Sequence, residues 1–135
     1  MRVVVLVKGN EDSEQGNYAD HADEFAEMGR FNEELVKAGI MLAGEGLAPS
    51  SEGKRVSFDG AAPSVIDGPF AEAKELVAGF WIWQVSSMDE AVEWLKRAPF
   101  KQGAVEIRRI HEAADFEGQI PQEIIDAEGQ LRAQL

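Results

Sequence analysis

The stretch Asp67-Gly68-Pro69-Phe70-Ala71-Glu72-Ala73-Lys74-Glu75 is the densest cluster of turn-forming and ionisable residues in the chain. In a structural interpretation, Asp67 or Gly68 caps a short helical turn and Pro69 takes its first position, where the missing N–H costs nothing. Phe70 then packs into the core. The spacing favours this interpretation, because carboxylates next to opposite charges are common in purely structural networks.

A functional interpretation of the same stretch stays open. Asp67 and Glu75 are candidate catalytic carboxylates that line a cleft at the end of a strand, and Lys74 adjusts their charge. A carboxylate placed in this way accepts or donates a proton on a bound molecule.

Hydrophobic periodicity on both sides of the stretch predicts alternating strands and helices. Residues 3–7 and 80–85 are apolar runs typical of central strands. Residues 20–38 predict a helix that ends at Gly39, because Phe25, Met28, Phe31 (or Asn32) and Leu35 recur there at helical spacing. Residues 9–16 are polar and are predicted to form a loop. The predicted elements in chain order are a strand at 3–7, a helix at 20–38, a strand at 40–43, a hairpin at 55–67, a strand at 80–85, a helix between Ser87 and Pro99, and a strand at 104–110.

Without the hairpin, this order is βαββαβ, which is the ferredoxin-like arrangement of an α+β domain. Both helices then lie on one face of the sheet. The large apolar residues at 80–85 predict that a second subunit covers the other face, because an exposed apolar sheet would aggregate. We therefore expect a homodimer of one domain, residues 1–118, with a C-terminal helical extension at 119–135 that packs on the partner or lies on the surface.

Composition excludes several classes of function. The chain has 135 residues, no cysteine and a net charge of −12. The absence of cysteine excludes disulfides, thiolate metal sites and a cysteine nucleophile, and the negative charge argues against nucleic acid and anionic membranes as partners. The apolar run at 3–7 is too short for a signal peptide or a membrane span, so we expect a cytoplasmic protein.

Other ionisable residues offer weaker candidates for a site. Glu106 and Arg108 lie two positions apart on the last strand, so both point into the dimer interior, where they bind a polar ligand or satisfy each other. Glu45 lies in a glycine-flanked turn that approaches the same cavity. His21 and His111 are isolated and more typical of helix or strand ends than of catalysts. No nucleotide-binding loop, serine elbow or metal-ligand spacing occurs, so we expect no cofactor and no metal.

The stretch at 67–75 resembles the DGPF branch of the YCII-related family, whose pattern there differs only at Ala73. Further segments agree with this family over about residues 1–118: Phe31-Asn32-Glu33-Glu34-Leu35, Ala43-Gly44-Glu45-Gly46-Leu47, Gly79-Phe80-Trp81-Ile82-Trp83, Glu90-Ala91 and Val105-Glu106-Ile107-Arg108. The resemblance implies a dimeric α/β barrel, in which two ferredoxin-like sheets face each other across a cavity. It implies little about the reaction, because most of this branch has no assigned activity.

The chain departs from the family in one respect that bears on catalysis. The resemblance implies a His–Asp pair, as in the founding branch, but the corresponding places here hold Met28 and Ala98. That chemistry is therefore not carried over. Any acid–base work falls to carboxylates such as Asp67, Glu45, Glu75 or Glu106.

Two functions remain open from the sequence. The first is a small-molecule enzyme of lyase, isomerase or cofactor-free oxygenase type, in which Asp67 or Glu75 transfers a proton on a cyclic or aromatic substrate and Glu45, Lys74, Glu106 and Arg108 bind it. The second is a non-catalytic ligand-binding or regulatory module that uses the same cavity.

Overall fold

The computed structural model describes all 135 residues and shows six strands and four helices. Short 3₁₀ turns lie at Ser50–Glu52, Ala73–Glu75 and Ala113–Phe116. The other elements in chain order are β1 (Arg2–Lys8), α1 (Glu11–Gln15), α2 (Ala22–Lys37), β2 (Met41–Gly46), β3 (Lys54–Ser57), β4 (Ser64–Asp67), β5 (Val77–Gln84), α3 (Met88–Lys96), β6 (Val105–Arg109) and α4 (Gln122–Arg132).

The main sheet has four antiparallel strands in the order β2-β5-β1-β6, and β3 and β4 form a separate hairpin. Val3 lies opposite Trp83, and Val5 lies opposite Trp81. Because side chains alternate across a strand, these four residues share one face of the sheet, and all four are buried. The predicted ferredoxin-like α+β fold with an inserted hairpin is confirmed.

Helices α2 and α3 fill this face of the sheet. Phe31 and Leu35 of α2 and Ala91 of α3 belong to the same buried cluster as the two tryptophans. The sequence also predicted Phe25 and Met28 on the buried stripe of α2, but Phe25 is 60% exposed and Met28 is only partly buried. Phe25 therefore lies outside the core, whereas Met28 packs against its edge.

The opposite face of the sheet carries Val4 and Leu6 on β1 and Phe80 and Ile82 on β5, which pair across the two strands. All four are partly exposed. Neither α2 nor α3 covers this face, since both pack on the other one. We refer to it as the open face.

The prediction of a loop at residues 9–16 was wrong in part, because α1 forms there. Asn10 and Ser13 cap the helix reciprocally: the Ser13 N–H donates to the Asn10 side chain at 2.8 Å and the Asn10 N–H donates to Ser13 Oγ at 2.9 Å. Gly16 ends it with a positive φ of 67°. Local capping, rather than hydrophobic periodicity, specifies this helix, so a periodicity search misses it.

The C-terminal segment is fixed to the sheet by a charged cluster. The Arg109 guanidinium donates two hydrogen bonds to the Asp115 carboxylate, at 2.8 and 3.0 Å, and the Glu112 N–H donates a third at 2.7 Å. His111 Nδ1 lies 3.2 Å from the same carboxylate. Beyond this turn, Ile125 of α4 is 9% exposed. None of the helices has the length and apolar character needed to cross a lipid bilayer.

Asp115 predicts a pH dependence of stability. The hydrogen bonds from Arg109, together with the one from the Glu112 N–H, hold the pKa of Asp115 well below its usual range. A carboxyl whose pKa is lower in the folded state stabilises the fold above its unfolded pKa of about 4 and loses this contribution as the pH falls further. We expect Asp115→Asn to lower the melting temperature at pH 7, and the difference from wild type to shrink below about pH 4.

Thermal unfolding followed by circular dichroism between pH 2 and pH 8 measures this effect. Glu117→Gln is the control, because Glu117 is exposed and its side chain makes no ion pair or hydrogen bond. If Asp115→Asn lowered the melting temperature by the same amount at pH 2 and at pH 8, the role of the ionised Asp115 carboxylate in stability would be contradicted.

Candidate functional site

A cavity of about 1050 Å³ lies between α2, β2 and β5. We call it the aromatic cavity, because Tyr18, Phe25, Trp81 and Phe100 line it. Tyr18 and Phe25 meet edge to face at 5.7 Å, and Phe100 meets Trp81 in the same way at 6.2 Å. Such walls suit a flat, apolar ring.

Trp81 fixes the one amide of α2 that lines the cavity. Its indole Nε1–H donates to Asn32 Oδ1 at 2.9 Å. An indole nitrogen only donates, so the oxygen end of the Asn32 amide must face Trp81. The Asn32 NH₂ group then has no acceptor within the protein, since no other hydrogen bond is made by this side chain. The cavity therefore holds an oriented pair of hydrogen-bond donors beside an aromatic wall.

Gly44 lets the edge strand approach this indole. A Cβ atom at Gly44 would lie 2.8 Å from Trp81 Cδ1 and 2.6 Å from Met41 Cε. Any side chain at this position would push Trp81 away and disturb its bond to Asn32. Gly44 thus allows the close packing that keeps Trp81 in position at the cavity.

The Asp67–Phe70 segment supports the wall of the cavity and does not line it. Gly68 is packed so closely that a Cβ atom would lie 1.7 Å from the Ser50 carbonyl oxygen. The Phe70 N–H donates to Ser50 Oγ at 3.0 Å. The Ser50 N–H donates to the Glu14 carboxylate at 3.0 Å, and the Ser50 hydroxyl donates to the same carboxylate. The segment thus connects the hairpin, the Ser50 turn and α1.

Asp67 lies away from the aromatic cavity. Its side chain is 74% exposed at the end of β4 and pairs with Lys54 on the neighbouring strand β3. The structure thus gives Asp67 a place in a hairpin ion pair, and the predicted cleft position beside Glu75 is not found.

Glu75 and Lys74 line a second cavity of about 720 Å³, which we call the adjoining cavity. It shares Val7, Lys8, Asn10 and Phe100 with the aromatic cavity, so the two are neighbours. The 3₁₀ turn that carries Glu75 is docked on the end of β1. The Gly9 N–H donates to the Leu76 carbonyl at 2.7 Å, and a Cβ atom at Gly9 would lie 2.7 Å from the Ala73 carbonyl oxygen.

Glu45, Glu106 and Arg108 are on the open face. Glu45 also borders the aromatic cavity, but its register partner is Phe80, so its side chain alternates to the side opposite Trp81. Glu106 pairs with Leu6, and Leu6 with Phe80, which places Glu45 and Glu106 in one row. Three strand spacings separate them, or about 14 Å.

These open-face charges partly satisfy one another. Glu106 lies 3.6 Å from Lys8 and 3.9 Å from Arg108. The sequence therefore placed Glu106 and Arg108 on the correct face. The structure does not bring Asp67, Glu45, Glu106 and Arg108 together in one enclosed pocket. No group of three or more His, Asp or Glu side chains lies close enough to hold a metal ion.

Sequence reasoning missed Asn32, although a signal was present. Asn32 follows Met28 by four positions and precedes Leu35 by three, so it is a polar residue on the apolar stripe of α2. A polar residue on such a stripe needs a partner, which tertiary packing supplies in Trp81. Two positions correspond to the His–Asp pair that this chain lacks. The first holds Met28, which lies in the cavity wall, and the second holds Ala98, which packs against the core.

Comparison with known proteins gives one family match. A model of the YCII-related domain matches residues 1–114. An uncharacterized protein of Rhizobium meliloti (strain 1021) is 28% identical over 104 residues, which is 73% of this chain and 84% of that protein.

A solved structure is also similar in part. It is the 5-chloro-2-hydroxyhydroquinone dehydrochlorinase TftG from Burkholderia phenoliruptrix AC1100 in complex with 2,5-dihydroxybenzoquinone, at 22% identity and a TM-score of 0.47. The similarity covers 83% of this chain and 95% of that one.

The packing of Gly68 generates a stability prediction. Gly68→Ala places a methyl group on the Ser50 backbone, so the hairpin and the Ser50 turn must move apart. We expect a loss of about 2–3 kcal/mol in the free energy of unfolding, measured by urea titration. Gly46→Ala is the control, because a Cβ atom there meets nothing within 4 Å. Equal stabilities of the two variants would show that the close approach at Gly68 is not a constraint.

Proposed function

The chain belongs to the YCII-related domain family, and we propose that it is a small-molecule enzyme that binds a cyclic or aromatic substrate in the aromatic cavity and moves a proton on it with Glu75. The observation that carries this proposal is the Asn32 amide, held by Trp81 with its NH₂ group free beside an aromatic wall. A ring with a carbonyl, enolate or phenolate oxygen satisfies both features.

The aromatic walls supply the binding energy and Asn32 supplies the orientation. Stacking against Phe25, Trp81 or Phe100 is open to any flat ring. Only a ring with an acceptor oxygen also accepts from the Asn32 NH₂ group, so this contact fixes which edge of the ring faces α2. Negative charge that builds on the same oxygen during proton transfer is stabilised by these donors.

Glu75 is the carboxylate to which we assign the proton transfer. It lines the adjoining cavity, which meets the aromatic cavity at Val7, Asn10 and Phe100. Lys74 on the same turn adds a positive charge for an anionic substrate. Glu45 and Glu106 are less suited to this substrate, since the register places them on the opposite side of the sheet.

A non-catalytic binding module is the second candidate, and one observation favours it. Met28 lies in the cavity wall, at the position of α2 where the resemblance to the founding branch of the family implies a histidine. The aromatic cavity thus has no titratable group from this position of α2. The same cavity would then bind a ligand without turnover.

Binding is tested with two probes of similar ring size. 2,5-Dihydroxybenzoquinone carries acceptor oxygens, whereas toluene has none, and quenching of Trp81 fluorescence or chemical shifts of Asn32 and Met28 report occupancy. We expect Asn32→Leu to weaken quinone binding about tenfold or more, the cost of leaving a buried polar partner unsatisfied, and to leave toluene binding unchanged. Gln119→Leu is the exposed amide control. If Asn32→Leu weakened the binding of the quinone and of toluene equally, Asn32 would not be the residue that recognises the acceptor oxygen.

Turnover is tested separately from binding. Deuterium incorporation into the ring positions of the bound quinone in D₂O, followed by ¹H NMR, reports proton transfer. We expect the wild type to accelerate deuterium exchange on the quinone. Glu75→Gln should lose most of this acceleration while it still binds the quinone. The exchange rates of Asp67→Asn and Glu45→Gln should be close to that of the wild type. Exchange at the rate of buffer alone, with binding intact, would support the non-catalytic module instead.

We also propose that two copies pair through the open face as a homodimer. The support is the apolar row of Leu6 and Phe80 with Val4 and Ile82 beside it, which α2 and α3 leave uncovered. A second copy would cover this row and bring Glu45, Glu106 and Arg108 of both copies toward one interior.

Light scattering measures the mass of the particle at micromolar concentration. We expect twice the chain mass of 14.8 kDa for the wild type and a single chain mass for Ile82→Glu, because a charge on the covered face is not solvated. Val36→Glu is the control, since Val36 of α2 is 62% exposed. A wild-type monomer would contradict the proposal.

A further inference from the structure

A third cavity, of about 630 Å³, lies between the start of β1, the segment after β6 and helix α4. We call it the C-terminal cavity. Helix α4 lies beyond residue 114, where the family match ends, so this cavity is built partly by a segment outside the shared domain. It has no lining residue in common with the aromatic cavity or the adjoining cavity.

The floor of the C-terminal cavity is apolar. Phe116, Ile120, Ile124 and Ile125 line it. Ile125 is buried at 9% exposure, while Phe116 and Ile120 keep 37% and 38%. Side chains that remain exposed inside a concave surface gain from an apolar ligand that excludes water from them.

Arg2 supplies an unneutralised positive charge at this floor. Its side chain is partly buried and makes no hydrogen bond or ion pair within the protein. Two other charges of the cavity are paired with each other, since Arg132 lies 3.1 Å from Glu128, and the Glu112 carboxylate is held in place by a hydrogen bond from the Asp115 N–H. A guanidinium in this position favours a carboxylate, to which it donates two parallel hydrogen bonds.

The wall opposite α4 is ordered before any ligand arrives. Two hydrogen bonds from Arg109 hold Asp115, and His111 lies against the same carboxylate at 3.2 Å. The His111 ring in turn contacts the Phe116 ring with centroids 4.9 Å apart. Phe116 is therefore held at the cavity by a chain of contacts, which reduces the entropy that binding must overcome.

From these contacts we propose that the C-terminal cavity is a second binding site, which takes a small carboxylic acid with an apolar body. The carboxylate binds Arg2, and the apolar body lies on Phe116, Ile124 and Ile125. The volume is within the range of about 300–1,000 Å³ that is typical of small-molecule sites. The site is independent of the substrate proposed for the aromatic cavity.

Octanoate and octan-1-ol are the probes that separate the two parts of this proposal, because they share an apolar chain and differ in charge. Isothermal titration calorimetry measures both affinities, and methyl chemical shifts of Ile124 and Ile125 against those of Met28 locate the site. We expect saturable octanoate binding with shifts at Ile124 and Ile125, and octan-1-ol binding at least about tenfold weaker, as for the loss of a charged hydrogen bond.

Two variants and one control complete the test. Arg2→Gln should weaken octanoate about tenfold and leave octan-1-ol unchanged, and Arg30→Gln should change neither, since Arg30 is an exposed arginine of α2 with no ion pair. Gly129→Leu should abolish binding with the fold intact, because Gly129 lines the cavity, a Cβ atom there meets nothing within 4 Å, and glycine is unfavourable inside a helix.

Several results would overturn the proposal. They are the absence of saturable octanoate binding, shifts confined to Met28, equal affinities for octanoate and octan-1-ol, or unchanged octanoate binding in Gly129→Leu or Arg2→Gln.

Discussion

The packing of two indole rings against α2 is the interaction on which the rest of this domain depends. Trp83 is fully buried and Trp81 is 5% exposed, and Phe31 meets both rings edge to face. At about 25 cal/mol per Å² and roughly 200 Å² per ring, each burial contributes on the order of 5 kcal/mol as an upper bound. The Trp83 Nε1–H has no hydrogen-bond partner, which costs about 1–3 kcal/mol, so hydrophobic burial still dominates at this position.

The same packing creates the aromatic cavity. The indole of Trp81 packs against the backbone of Gly44 and donates to the Asn32 amide. Phe25 of α2 is 60% exposed, while Met28 packs against the edge of the core, and both residues line the cavity. One structural choice, a large aromatic residue on β5 beside the edge strand β2, thus contributes both to the core and to the wall of the aromatic cavity.

The Asp67–Phe70 segment has a structural role that its contacts define. Gly68 fits against Ser50, the Phe70 N–H bonds to the Ser50 hydroxyl, and Glu14 accepts from the same serine. These contacts hold α1 and the loop after β2, which form the outer wall of the aromatic cavity. The glycine and the aromatic residue are needed for packing, whereas the Asp67 carboxylate points to solvent and pairs with Lys54.

The sequence by itself determined the order of the main elements and the faces of the strands. Alternation along 105–108 correctly separated Val105 and Ile107 from Glu106 and Arg108, because the period of a strand is set by local backbone geometry. Capping at Asn10 and Ser13 specified a helix that hydrophobic periodicity did not reveal. Tertiary structure alone decided which residues meet: Trp81 with Asn32 across 49 positions, Glu75 beside the end of β1, and Asp67 with Lys54 across the hairpin. Such meetings depend on how distant segments pack in three dimensions, and neither spacing nor composition records them.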